Sequence, residues 1–460
     1  MIKSLKIYGL RGFANEQAIE FAVAEGEAKL GLTIVVGANS SGKSTIVEAI
    51  RALAQDQPPS FSQGRRNVAA GDRVELKIVM DDDSSSTLRS VRAGASESEF
   101  VDRTAIRLRN QILVLPSRRV FNPYFGKHVS DRSDYMQQMG FPPARSSQVD
   151  QFTYRLFQIE RNRGGFDELL KEVVGSTLEW SIDQSDQGQY FLKVSSENGG
   201  THSSEGMGEG LVSLMYIVDA LYDSQPGQTI VIDEPELSLH PQYQKSLLKL
   251  LKRYAADRQI IISTHSPYFV DVASLSSGMR IHRVVSEALG SNIHSLGADT
   301  AERVGRFVRN DNNPHIVGLN AREALFSGDR VVLFEGQEDI VFLDRVLDDL
   351  GIRLDAAPFG WGVGGADNMS VVARMLSELG FEKVVGILDS DKAAVRDELA
   401  ALFQNYHFAC IPAPDIRTKK AAQAREKKDG LLDDENRHVR AEHKDASIEL
   451  FTDANEYLNR

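Results

Sequence analysis

A chain of 460 residues, 42% hydrophobic and 26% charged, is long enough for two or three separate cores and has the composition of an ordinary globular protein. The lone cysteine, Cys410, excludes an internal disulfide and a multi-cysteine zinc site, and no apolar run approaches the ~20 residues of a membrane-spanning helix. The net charge of −12 speaks against a basic protein that coats nucleic acid, but not against local arginine patches or a metal site built from carboxylates.

The opening Met1-Ile2-Lys3-Ser4-Leu5-Lys6 alternates rather than running apolar like a secretory leader, so a cytoplasmic protein is expected. Ser4 to Tyr8 reads as a first strand, Gly9 to Asn15 as a turn, and Ala18 to Phe21 as the start of a second strand. Leu32-Thr33-Ile34-Val35-Val36 is a short continuous apolar run, the pattern of a buried parallel strand. A glycine loop follows it, and Ser44 to Ala54 continues as a helix. Residues 55–72 and 81–100 are rich in Ser, Gly, Asp and Gln and read as surface loops. Gln111 to Leu115 is another buried strand, and residues 120–175 read as a mostly helical insertion with helices at Phe152 to Arg161 and Phe166 to Val173.

Thr229 to Ile232 and Gln259 to Ser263 are the next buried strands. Pro241 to Ala256 between them has helical spacing, and Lys252-Arg253 suits its C-terminal end. Beyond a loop-rich stretch near 285–325 a new α/β alternation begins. It comprises a strand at Val331 to Phe334, helices at Ile340 to Leu350 and Val371 to Leu379, and a strand at Val384 to Leu388. A domain boundary is therefore placed near 320. Thr418 to His443 is dense in alternating charge and reads as a solvated helix or a partly disordered segment.

Gly37-Ala38-Asn39-Ser40-Ser41-Gly42-Lys43-Ser44 fits the phosphate-loop pattern G-x-x-x-x-G-K-[ST], and it lies where that loop must lie, between strand and helix. Gly37, Asn39, Ser41, Gly42 and, just beyond, Thr45 are expected to close backbone N–H groups around the phosphates of ATP. Lys43 would reach the β- and γ-phosphates, and the Ser44 hydroxyl would take Mg2+. Asp233, at the end of an apolar strand, would hold the same ion through water, and Glu234 would orient the attacking water. His265, after the next strand, stands where a γ-phosphate sensor would sit.

Pro235-Glu236-Leu237-Ser238-Leu239-His240-Pro241 resembles the segment that follows the Walker B strand in ABC-type ATPases of the SMC-like branch. Ser203-Ser204-Glu205-Gly206-Met207-Gly208-Glu209-Gly210, ahead of an apolar helix, resembles a degenerate ABC signature, departing from the usual Ser-Gly-Gly. The resemblance implies that Ser204 and Gly206 complete the ATP site of a second subunit, so that ATP joins two heads in a homo-oligomer. Related ATPases often carry a glutamine after the strand at 111–115; here Ser117-Arg118-Arg119 stands there, with its role open. No long heptad region interrupts the ATPase, which reads as a compact head.

The second half carries Glu335-Gly336 after one strand and Asp389-Ser390-Asp391 after another. In a parallel sheet both lie at strand C-termini, where ligands gather. Asp389 and Asp391, two apart in an extended segment, would point the same way, and three converging carboxylates call for a divalent metal. Gly362-Val363-Gly364-Gly365 is a tight turn that would bring backbone near the site.

This arrangement resembles the TOPRIM domain, a Rossmann-like fold of topoisomerases, primases and OLD-family nucleases. The likeness implies that Glu335 acts in acid/base or metal roles and that Asp389 and Asp391 bind Mg2+, with Mn2+ an alternative ion. Glu338 and Asp339 are further carboxylates that suit either a second metal or a solvated helix start. Lys419 and Lys420 are candidates for a late lysine, or simply solvated charges.

An ATPase head followed by TOPRIM resembles the OLD (overcoming lysogenization defect) family. The expected architecture is α/β: an ABC-type P-loop ATPase over 1–320 with the helical insertion at about 120–175, a TOPRIM domain over 321–417 and a charged segment over 418–460. The expected activity is that of an ATP-regulated, metal-dependent DNA endonuclease or nickase in anti-phage defence, with a second defence protein as a partner. The alternative is an ATP-dependent sensor or scaffold whose TOPRIM-like domain serves only partner binding.

Overall fold

The computed structural model describes residues 1–26, 29–62, 64–103, 111–119, 121–122, 124–129, 131–132, 135, 152–195, 200–203, 208–311, 319–326, 329–419 and 429–460. The chain forms two compact units. One comprises Met1–Phe269 and Ser277–Ile293, the other Val270–Ser276 and His294–Arg460, so the expected boundary near 320 falls inside the second unit.

In the first unit the strands Leu32–Val36, Thr229–Asp233 and Gln259–Ser263 are buried at every position, as their largely apolar sequences predict. They lie in a six-stranded sheet of order Gly290–Ser295, Arg280–Glu287, Leu32–Val36, Gln259–Ser263, Thr229–Asp233, Ile112–Leu115. The pairings from Arg280–Glu287 across to Ile112–Leu115 are all parallel. This brings the carboxyl ends of the two motif-bearing strands, Leu32–Val36 and Thr229–Asp233, to one edge, with Gln259–Ser263 between them.

A second, antiparallel sheet runs Gln17–Glu20, Ile2–Tyr8, Glu75–Met80, Ser85–Ser90, Ser98–Arg103. The helix Lys43–Ala54 buries Ile46, Ala49, Ile50 and Leu53 in a core that also holds Leu5 and Leu76 of this sheet and Val231 and Ile261 of the parallel one. Two strands of the antiparallel sheet therefore occupy residues read from sequence as surface loop. Ser85–Ser90 is polar because only one of its faces is covered: Leu88 is buried while Arg89 is exposed. The stretch near 285–325, read as loop-rich, likewise contains the strands Arg280–Glu287 and Gly290–Ser295 and the helix Ala298–Asp311. Helices occupy Phe152–Arg161 and Gly164–Val174, and a three-stranded sheet follows over Glu179–Gln184, Tyr190–Ser195 and Thr201–Ser203.

The second unit is built on a four-stranded parallel sheet of order Ala357–Pro358, Arg330–Phe334, Lys383–Leu388, His407–Cys410. The helices Gln337–Leu350, Ala366–Glu378 and Ala393–Leu402 connect its strands. The charged tail is not a solvated segment where it is described. Leu431 and Leu432 are fully buried, and the helix Ala441–Asn459 sets Leu450, Phe451, Ala454 and Leu458 into the same core as Val332, Val385 and Ile387. The apolar stripe was hidden in the sequence because charged residues fill the other face at helical spacing.

Phe451 is 1% exposed. Phe451→Ala is expected to destabilise the protein by about 3–5 kcal/mol, read as a lower urea midpoint for the second unit. A loss below about 0.5 kcal/mol would mean that this helix does not belong to the core.

Candidate nucleotide and acidic sites

Strand Leu32–Val36 delivers the chain to Gly37, whose φ of 149° suits glycine and whose added Cβ would lie 2.3 Å from the Val284 carbonyl oxygen. Gly42, at φ 118°, precedes the helix Lys43–Ala54, so the helix N-terminus faces the loop it closes. Asn39 is exposed, Ser44 half-exposed and Thr45 buried. The Ser41 hydroxyl is buried with no hydrogen-bond partner among the described residues.

Lys43 is buried and curls over the loop. Its Nζ donates to the carbonyls of Gly37 and Ala38, each at 2.9 Å, and lies 2.8 Å from His265 Nε2. Burial pulls the ammonium down to about 8, against the opposing pull of Glu234, Asp233 and Glu236. His265 is itself held below its ordinary value by burial and by the Lys43 charge, which suits a neutral ring accepting from the ammonium. A cation set among neutral acceptors in this way is ready to be drawn onto a phosphate.

Asp233 is buried at the end of its strand and accepts a hydrogen bond from the Ser263 hydroxyl. Glu234 turns the chain in a left-handed conformation, φ 49°, while its N–H donates to the Ser263 carbonyl at 2.8 Å. The turn sets the Glu234 carboxylate 3.6 Å from His265 Nε2. Two residues not assigned from sequence hold this arrangement. Glu236 accepts from the Thr264 hydroxyl at 2.8 Å and from the His265 backbone N–H, and burial raises its carboxyl above the usual range. Arg119, 2% exposed, donates to the carbonyls of Asp233 and Glu234 at 2.7 and 2.8 Å. Its only signal in the sequence was its place just after a buried strand. Lys43, Asp233, Glu234 and His265 thus come together at one sheet edge, whereas Ser204 and Gly206 lie outside the described residues.

In the second unit Glu335 ends strand Arg330–Phe334, and Asp389 ends strand Lys383–Leu388 beside it. Glu335 Oε1 accepts the Asp389 backbone N–H at 2.8 Å. Asp339 Oδ2 accepts the Gly336 N–H at 2.9 Å and so caps the helix Gln337–Leu350. The glycine turn abuts the cluster as expected: Gly365 donates to the Glu335 carbonyl at 2.8 Å, and a Cβ on Gly362 would lie 2.6 Å from the Gly336 carbonyl oxygen.

The acids crowd one another over an apolar floor that includes Phe334, Ile387, Ile411 and Phe451. Burial, then Asp339, Glu335, Asp415 and Asp391, push Asp389 up to about 8. Burial, then Glu335, Asp415 and Glu338, take Asp339 to about 6, and burial also raises Glu335. Asp339 is therefore more intimately part of the cluster than its place on a helix start suggested.

Asp391 departs from expectation. The chain leaves Asp389 in a short 3-10 turn, Ser390–Lys392, rather than an extended segment, so the alternation that would aim both aspartates alike does not hold. The Asp391 side chain is 52% exposed and lies 3.6 Å from Lys392 Nζ. Among the described residues no three His, Cys, Asp or Glu side chains converge as a group able to hold a metal ion. Lys419 pairs with Asp415 and lies 3.3 Å from Glu338, which Arg417 also engages at 2.6 Å; Lys420 is outside the described residues.

Residues 32–119 and 81–271 match the family described as "AAA domain, putative AbiEii toxin, Type IV TA system". The chain belongs to that ATPase family. Among curated relatives, the Septu protein PtuA of Bacillus thuringiensis is 24% identical over 60% of this chain and 74% of its own length. The OLD nuclease of Thermus scotoductus is 25% identical over 80% of this chain and 78% of its own. The endonuclease GajA of Bacillus cereus is 28% identical over 26% of this chain and 19% of its own. The chain is thus an AAA-type ATPase that is similar to an OLD nuclease and to GajA. A crystal structure of the SmcHead bound to the C-winged helix domain of ScpA aligns with 66% of this chain and 99% of its own at 17% identity, with a TM-score of 0.43. No helix among the described residues is long and apolar enough to cross a membrane.

Lys43 is the one side-chain cation within the loop Gly37–Ser44. Lys43→Met is expected to abolish ATP binding while the protein stays folded, so that ATP raises the wild-type melting temperature and leaves that of the variant unmoved. Retained micromolar affinity in calorimetry would contradict the assignment.

Proposed function

We propose that the chain is an ATP-binding and ATP-hydrolysing, metal-dependent DNA endonuclease or nickase of OLD type that acts in anti-phage defence. The observation that carries the nuclease reading is the crowding of Glu335 and Asp389, at the carboxyl ends of two adjacent parallel strands, with Asp339 from a helix start, in a unit distinct from the ATP site. Hard oxygen donors held above their usual pKa range by burial and then by one another suit a divalent cation. Glu335 and Asp389 are the residues that would hold it, with Asp391 swinging in from solvent when the ion binds, in a domain we read as TOPRIM. A divalent ion there, Mg2+ or Mn2+, would polarise a phosphodiester and make bound water a stronger nucleophile.

At the nucleotide site Lys43 and the loop bind and orient the phosphates, while Ser44 and Asp233 are the residues that would take Mg2+. Glu234 positions the attacking water and accepts its proton. His265, within reach of both Lys43 and Glu234, senses the terminal phosphate. The signature-like segment with Ser204 and Gly206 would complete this site from a second copy, so ATP would control head pairing in a homo-oligomer. DNA as substrate, and a second defence protein as partner, come from the nuclease names of the relatives and from the likeness to PtuA.

One observation favours a second reading, an ATP-dependent sensor or scaffold. Asp391 is turned to solvent beside Lys392, and no metal-ready group of three is present among the described residues.

Glu234→Gln is expected to keep ATP binding and to lower hydrolysis about 10²–10⁴-fold. Hydrolysis at the wild-type rate would remove Glu234 from the chemistry. Asp389→Ala is expected to end cleavage of supercoiled and linear DNA while ATP hydrolysis continues. Chelation stops both activities and cannot separate them, so the decisive comparison is mutational. Undiminished cleavage by Asp389→Ala, or none by the wild type with Mg2+ or Mn2+ and any partner, would favour the sensor.

A further inference from the structure

Arg119 is one of the largest fully buried side chains of the protein, and its partners among the described residues are all neutral oxygens. Nε donates to the Ser213 hydroxyl at 2.7 Å. Nη1 donates to the carbonyls of Pro116 and Asp233, both at 2.7 Å, and Nη2 to the carbonyl of Glu234 at 2.8 Å. A buried guanidinium placed for charge pairing would meet a carboxylate head-on. This one instead fixes the main chain of two consecutive peptides, and it does so where the backbone is least comfortable. Glu234 sits at φ 49°, in the left-handed region that L residues with a side chain rarely adopt. The Glu234 peptide is pinned from both sides, its N–H by the Ser263 carbonyl and its C=O by Arg119.

We propose that Arg119 is a positioning residue for ATP hydrolysis: it locks the Asp233–Glu234 turn so that the Glu234 carboxylate faces His265. Through Ser213 it also ties that turn to the helix Glu209–Tyr222. That helix begins within the signature-like segment Ser203–Gly210, so Arg119 links the Asp233–Glu234 turn to the helix that follows that segment. The planar fork of arginine reaches three carbonyls and a hydroxyl at once, a task a lysine ammonium on a flexible stem cannot repeat. The inference rests on the assignment of Glu234 to the chemistry.

The test measures steady-state ATP hydrolysis, ATP affinity and melting temperature for the wild type, Arg119→Lys, Arg119→Met, Glu234→Gln and the double variant Arg119→Lys/Glu234→Gln. Arg119→Lys is expected to lower kcat about 10²-fold, as for a misplacement of about 1 Å, with ATP affinity within about threefold of wild type. Arg119→Met should lose more, so the conservative variant is a partial rescue. In the Glu234→Gln background Arg119→Lys should have no further effect, because the carboxylate it aims is gone.

A parallel fall of affinity, kcat and melting temperature in both single variants would reduce Arg119 to a packing role. An equal fold-loss from Arg119→Lys in the wild-type and Glu234→Gln backgrounds would overturn the proposal directly. Wild-type hydrolysis by Glu234→Gln would sink the assignment of Glu234 first, and this inference with it. Should the Arg119 variants not fold, Ser213→Ala removes one hydroxyl only. It is expected to lower kcat about fivefold, the worth of one hydrogen bond, with affinity unchanged, and an unaltered kcat would overturn the link to the helix.

Discussion

A parallel strand covered on both faces has no exposed side on which to carry chemistry. Its polar side chains must wait until the strand ends, and its neighbours end beside it. That constraint organises both units of this protein. Leu32–Val36, Thr229–Asp233 and Gln259–Ser263 are apolar through their middles, Ile230–Ile232 and Ile260–Ile262 included, and release the phosphate loop, the acidic pair and His265 at one edge. Arg330–Phe334 and Lys383–Leu388 do the same with Glu335 and Asp389. Asp233, Glu234, His265, Glu335 and Asp389 all lie within two residues of such an end, and Lys43, Ser44 and Asp339 lie in the first turn of the helix that follows one.

The same arrangement puts charges where water is scarce, and the two sites answer differently. At the nucleotide site each buried charge has a neutral or hydrogen-bonded counterpart: Lys43 on loop carbonyls, Asp233 on a serine hydroxyl, Glu236 on Thr264 and the His265 N–H, Arg119 on main-chain oxygens. Charge is held there by fixed dipoles, the condition for electrostatic preorganisation. In the second unit like charges face one another out of water, and burial, then that crowding, push Asp389 up to about 8. Cationic partners stand around this group: Lys419 pairs with Asp415, Arg417 and Lys419 with Glu338, and Lys392 with Asp391.

Residues with period or motif were legible in the sequence, and residues whose role is set by tertiary contact were not. The strands Leu32–Val36 and Gln259–Ser263 and the helix Phe152–Arg161 could be placed to the residue because their apolar pattern is continuous or strictly periodic. Ser85–Ser90 and Ser98–Arg103 were lost because strands with one solvated face carry as many polar residues as a loop. Lys43, Asp233, Glu234 and His265 could be found because loop, strand end and spacing are all local features. Arg119 could not, since its four acceptors come from sequence-distant segments, Pro116 excepted.

The misreading of Asp391 has a different origin. An Asp-x-Asp spacing aligns two side chains only while the backbone remains extended. Here the Ser390 N–H bonds the Ala413 carbonyl and Lys392 N–H bonds the Asp389 carbonyl, which winds the chain into a 3-10 turn immediately after the strand. The turn leaves Asp389 facing Glu335 and Asp339, and it moves Asp391 out toward solvent. The carboxylates that the fold does bring together are thus partly drawn from a helix start, where Asp339 also serves as the cap. A capping acid at a helix N-terminus is stabilised by the helix dipole as well as by the N–H it accepts. That stabilisation sets a third carboxylate among the buried acids from outside the strand ends, which is why the cluster is more crowded than the strand-end motifs alone implied.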